Sequence, residues 1–167
     1  MSKFSAGRAG ALALVVALAL SACAKTPADP DALNGAYGAG ARSGPGSYQE
    51  FSSSVGDRVF FDTDQTDLNE RGQATLDKQA EWLNRYPRYR FTVEGHADER
   101  GTREYNFALG SRRSESVKNY LIAKGVSTSR LKTTSYGKER PVAVCDDISC
   151  WSQNRRAVTV LEGAPES

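Results

Sequence analysis

The residues best equipped for chemistry crowd into one stretch, GHADERGTREYN at 95–106, where the only histidine, His96, stands among Asp98, Glu99, Arg100, Arg103 and Glu104. A single histidine excludes the helical histidine pair of a metalloprotease, and with Cys145 and Cys150 it supplies three of the four ligands a structural zinc site needs. No nucleophile-elbow motif presents a serine or cysteine to His96, so a hydrolase is not expected. What is left is placed charge. Asp98 falls in a loop leaving a strand, and Arg113 falls on the helix that follows, sharing a face with Asn106 and Leu109 over two turns. Such a carboxylate and guanidinium suit a zwitterionic ligand, its ammonium beside Asp98 and its carboxylate forked by Arg113. The free N–H groups at the helix start would add attraction for the anionic end. The same two residues also suit a purely structural ion pair or helix cap, and residue types alone leave both readings open.

The elements that must hold these groups alternate along the chain. A strand is expected over 57–64, and a helix over 66–87, capped by Thr66 or Asp67 and stopped before Pro87. A second strand follows over 90–95, where Phe91 and Val93 share a face. The next helix is expected from Arg103 to Lys124, with Tyr105, Ala108, Leu109, Arg112, Ser116, Val117, Tyr120 and Leu121 at helical spacing and Gly125 as its C-cap. Strands over 130–137 and 155–163 complete the pattern, with a short helical turn between them. This predicts an α/β fold, an α+β sandwich with two main helices on one face of a small mixed four-stranded sheet. Asp62, Asp64 and Asp67 lack the glycine and distal glutamate of a calcium loop, so strand-end and capping roles are expected for them.

Composition suits one globular domain, 39% hydrophobic and 25% charged. The first 22 residues place Lys3 and Arg8 before an uncharged run, a secretory-signal layout too short to cross a bilayer as a helix. LSAC at 20–23 resembles a bacterial lipobox, which implies acylation of Cys23 and, with Ala24 next, sorting to the outer membrane. Removing 1–22 takes away only Lys3 and Arg8, so 22 basic residues become 20 and balance the 20 acidic ones. No basic field remains to attract nucleic acid. Residues 23–47, rich in Ala, Gly and Pro, read as a flexible tether spanning about 25 to 30 Å on average. The domain is expected over 48–163, with a short tail over 164–167. In an oxidising compartment Cys145 and Cys150 are expected to pair as a disulfide.

VEGHADERGTREYNFALGSRRSESVKNYL at 93–121 resembles the signature of OmpA-like peptidoglycan-binding domains, here of the lipoprotein branch. The likeness extends upstream to VFFDTDQTDL at 59–68 and downstream through SYGKERPV at 135–142 and NRRAVTV at 154–160. It implies a β-α-β-α-β-β order and non-covalent recognition of the meso-diaminopimelate of the peptidoglycan stem peptide, with no cofactor. The family's aspartate falls on Asp98 and its arginine on Arg113, while the positions that shape the pocket fall on Phe61, Gly101, Tyr105, Asn106 and Leu109. Gly110 stands where many members carry serine, and the Cys145 and Cys150 insert is not general in the family. The resemblance further implies an outer-membrane lipoprotein facing the periplasm, acting in the Tol-Pal system in envelope integrity and cell division, with the β-propeller TolB as partner. A periplasmic protein-interaction module with little wall binding is the alternative.

Overall fold

The computed structural model describes residues 44–162. Cys23, the signal stretch, most of the tether, residue 163 and the 164–167 tail lie outside the described residues. The described chain opens with α1 (Tyr48–Glu50), capped by Ser47, whose Oγ accepts from the Glu50 N–H at 3.1 Å, and continues as π-helical turns over Phe51–Gly56. The sequence reading has no helix here. The segment is helical because Phe51 is buried against Trp82, ring centroids 4.8 Å apart, which fastens it to the next helix.

Then follow β1 (Arg58–Phe60), α2 (Glu70–Arg85), β2 (Phe91–His96), α3 (Arg103–Ala123), a 3-10 turn (Thr128–Arg130), β3 (Leu131–Gly137), α4 (Ile148–Asn154) and β4 (Arg156–Leu161). The strands lie in the order β1-β4-β2-β3, with β1 and β2 antiparallel to β4, and β2 parallel to β3. Parallel neighbours need a crossover between them, which α3 supplies. The fold is the expected α/β arrangement on a mixed four-stranded sheet. Its core joins Val59, Phe91, Val93, Ala157 and Leu161 of the sheet to Leu76 and Leu83 of α2 and Val117 and Leu121 of α3.

Three expectations are corrected. The first strand stops at Phe60, because residues 62–65 form a turn with Asp64 in the left-handed region (φ 57°). The cap of α2 is Asn69, whose Oδ1 accepts from the Gly72 N–H at 2.8 Å, and not Thr66 or Asp67. The inward face of α3 is Asn106, Leu109, Gly110, Arg113, Ser114, Val117 and Leu121. Tyr105, Ala108 and Arg112 are exposed, a rotation hidden from apolar counting because four of the seven buried residues are polar or glycine.

One contact aims the functional helix. A Cβ added to Gly95 would sit 1.8 Å from the Gly110 carbonyl oxygen, and one on Gly110 would sit 2.5 Å from Ser135 Oγ. The backbones of β2 and α3 therefore touch, which only glycine allows. This fixes α3 against the end of β2 and brings Arg113, three residues on, beside the His96 carbonyl. Just there the β2–β3 register slips between Gly95 and His96, and the chain turns out of the sheet into the Asp98 loop.

Candidate functional site

Arg113 is 0% exposed, and its charge is held without a carboxylate in ion-pair contact among the described residues. Its Nε donates to the Gln65 carbonyl at 2.9 Å, Nη1 to the His96 carbonyl at 2.8 Å and Nη2 to the Asp62 carbonyl at 3.1 Å. The Phe61 ring lies beneath it, 5.1 Å from Cζ to centroid. A guanidinium carries five N–H donors. Three serve these carbonyls, leaving two, the number a carboxylate fork requires. Burial, and then the neighbouring Arg155, lower its pKa to about 10, so it stays cationic at neutral pH.

Asp98 is 6% exposed and lies close enough for its charge to favour the protonated form of Arg113. Burial pushes its carboxyl up, but hydrogen bonds from Arg100 and Arg155 outweigh that and hold it below the usual carboxylate value. Arg100 donates from Nε to Oδ1 at 3.2 Å and from Nη2 to Oδ2 at 2.7 Å, and its backbone N–H also reaches Oδ1 at 3.2 Å. Arg155 Nη1 reaches Oδ2 at 3.3 Å, while its Nε donates to the Phe61 carbonyl at 3.1 Å. Asp98 thus has two guanidinium partners, and the pairing with Arg113 is electrostatic rather than direct.

The expected pocket-shaping residues gather around this pair. Gly101 takes φ 87°, turning the loop toward α3, where the Thr102 Oγ caps the helix by accepting from Tyr105 N–H. Asn106, fully buried, donates from Nδ2 to the Arg100 carbonyl at 2.7 Å and so fixes the loop to the helix. Tyr105 is exposed, and its hydroxyl donates to Asp64 Oδ1 at 3.2 Å across the mouth of the site. Leu109 is buried one turn before Arg113.

Sequence reasoning missed Arg155, Arg100 and the carbonyls of Asp62 and Gln65. The adjacent Arg155 and Arg156 at the start of a buried strand were the available signal, since an arginine there needs a counter-charge or carbonyls to survive burial. His96 matters through its backbone carbonyl. Its ring stacks on Tyr136 with centroids 5.6 Å apart, and Glu94 Oε2 stands 3.7 Å from Nε2, too far for a hydrogen bond. Burial lowers its pKa, with Glu94 opposing and Arg156 and Arg140 assisting, so the ring is neutral at pH 7. The Cys145–Cys150 disulfide is present, Cα atoms 5.7 Å apart. Among the described residues no group of His, Cys, Asp or Glu is arranged to hold a metal ion.

A small α/β sheet with a buried, unpaired guanidinium and a carboxylate at the end of its second strand defines a class. The OmpA family matches residues 60–155, and the chain belongs to that family. Its relatives include peptidoglycan-associated lipoproteins from Rhizobium meliloti, 62% identical over 154 residues (92% of this chain, 87% of the relative), and Mesorhizobium japonicum, 61% over 155 residues (92% and 91%). A more distant one, from Pseudomonas aeruginosa, is 42% identical over 164 residues (93% and 96%). The crystal structure of the peptidoglycan-associated lipoprotein from Burkholderia pseudomallei superposes with a TM-score of 0.64 at 39% identity, covering 66% of this chain and 96% of that one. The C-terminal domain of Helicobacter pylori MotB, at 23% identity and a TM-score of 0.60 over 65% of this chain and 85% of its own, shares the fold. The chain is a structural protein and not an enzyme.

Proposed function

We propose that this chain is a peptidoglycan-binding lipoprotein that grips the free amino-acid end of diaminopimelate in the stem peptide through Asp98 and Arg113. The observation that carries the reading is Arg113: a fully buried guanidinium costs several kcal/mol of desolvation, and carbonyls alone do not neutralise it. Retaining such a group makes physical sense where an anion docks on its two remaining N–H donors. Asp98 answers the ligand's ammonium. The names of the relatives, all peptidoglycan-associated lipoproteins, agree with this.

The rest of the reading concerns placement. Acylated Cys23 anchors the chain in the outer membrane, residues 23–47 reach inward, and the domain from 48 meets the wall from the periplasmic side. Each contact is modest, and many anchored copies act together. Membership of the Tol-Pal system, with TolB as partner, follows from family resemblance and is tested by capture of TolB on the full chain. Wall binding is tested by co-sedimentation of the full chain in detergent with purified sacculi. Asp98→Asn keeps the shape and removes the charge, so binding should fall by about tenfold or more, the worth of one charge-assisted hydrogen bond. Equal sedimentation of native chain and variant would refute the assignment.

A further inference from the structure

Asp98 and Arg113 are 6% and 0% exposed, yet a ligand gripped by them has to touch both. Some group must step aside. Arg155 is poorly suited, because it is buried and also holds the Phe61 carbonyl. Arg100 is well suited, since its side chain is 41% exposed although its fork covers both oxygens of Asp98, with Thr63 Oγ1 3.5 Å from Nη2. Its guanidinium occupies the hydrogen-bonding positions that an ammonium would take.

Arg100 is itself held from behind. Its Cζ lies 4.3 Å from the centroid of the Trp151 ring, and the Trp151 indole N–H donates to the carboxylate of Glu99, the neighbouring residue. Trp151 rides on α4, into which the Cys145–Cys150 disulfide is tied. The same insert is closed by Asn154, whose Oδ1 accepts from the Val142 and Ala143 N–H groups at 2.9 and 3.2 Å and whose Nδ2 donates to the Ala143 carbonyl at 2.8 Å. The cystine-bearing insert therefore reaches the ligand loop through one aromatic ring.

We propose that Arg100 is a displaceable internal counter-ion for Asp98, and that Trp151 is the positioning residue that holds it there. The inference rests on the diaminopimelate reading given above. An arriving ammonium replaces one cation by another, so the charge around Asp98 is conserved during the exchange. Trp151 and the disulfide behind it set how readily the exchange happens.

The test is stopped-flow and calorimetric titration of the full chain in detergent with a soluble muropeptide whose stem ends in meso-diaminopimelate. The native chain is compared with Arg100→Gln, Trp151→Ala, Trp151→Phe and the double variant Cys145→Ser, Cys150→Ser, each checked for an unchanged circular dichroism spectrum. Arg100→Gln is expected to bind about tenfold tighter, since the competing charge-assisted bonds are gone. Trp151→Ala and the double cysteine variant are expected to associate about two- to fivefold faster, the share of one exposed cation–π contact, while Trp151→Phe keeps a ring face and stays near native. A merely structural tryptophan would instead lower affinity, with no rescue by phenylalanine. Weaker binding by Arg100→Gln would make Arg100 a ligand contact and overturn the proposal, as would an unchanged association rate in Trp151→Ala. No binding by the native chain would sink the diaminopimelate reading itself, and this inference with it.

Discussion

At the scale of single residues, the site sets Arg113 and Asp98 in different electrostatic situations. Arg113 is buried and supports three backbone carbonyls, so it holds the 62–65 turn whatever else it binds. Arg113→Ala would orphan all three and leave a cavity, so a loss of at least about 3 kcal/mol is expected in denaturant unfolding. Asp98 has its pKa held below the ordinary value. A depressed carboxyl contributes stability above its unfolded pKa and loses it as pH falls through the folded one. Binding to sacculi that needs the ionised carboxylate is therefore expected to persist at about pH 5 and to fail only below the ordinary aspartate range. A midpoint well above that in a sedimentation series would show that Asp98 is not the group in control.

Among the elements, the decisive contact is backbone against backbone at Gly95 and Gly110. Gly95→Ala forces a methyl group against the α3 carbonyl. It is expected to cost about 3 kcal/mol, at the upper end of overpacking, and to weaken ligand binding by displacing Arg113, as melting and titration would show. The sheet and both long helices were legible in the chain because their signals are local: Phe91 and Val93 alternate, and Gly125 ends a long helical run. That Asp98 and Arg113 lie near one another was legible from the strand-loop-helix order and from resemblance, and the shared face of Asn106, Leu109 and Arg113 from helical spacing. Arg155 and Trp151 were not, since they reach Asp98 and Arg100 only as the chain around α4 and β4 returns to the site, 50 or so positions further along, and the local Arg100 contact was missed because it depends on how the 98–101 loop turns. Carbonyl acceptors such as those of Asp62 and Gln65 are invisible in any sequence, being common to every residue.

At the scale of the whole molecule, the proposed anchor role asks where the described domain is entered and where Asp98 lies. The Gly46 carbonyl accepts from Arg88 Nη2 at 2.9 Å and Tyr89 Oη at 2.6 Å, next to the start of β2. The Asp98 loop leaves the other end of that strand, about 20 Å away over six residues at strand rise. The segment leading to Cys23 thus joins the domain at the pole opposite Asp98. Membrane attachment and wall binding should then separate: Cys23→Ala is expected to lose acylation, as mass measurement would show, yet to sediment with sacculi as the native chain does. Loss of both together would mean that the N-terminal segment takes part in the wall site.

On the proposed reading Arg113 and Asp98 read a carboxylate and an ammonium carried by one ligand carbon, and the ligand offers a cleaner test than any variant, because changing it leaves the fold untouched. Titrate the full chain with two soluble muropeptides that differ only in the third stem residue, meso-diaminopimelate or lysine, which has the ammonium without the second carboxylate. Binding of the first, with the second weaker by about tenfold or more, is the expected result. Equal affinity for the two would contradict the clamp and return Arg113 to a purely structural role.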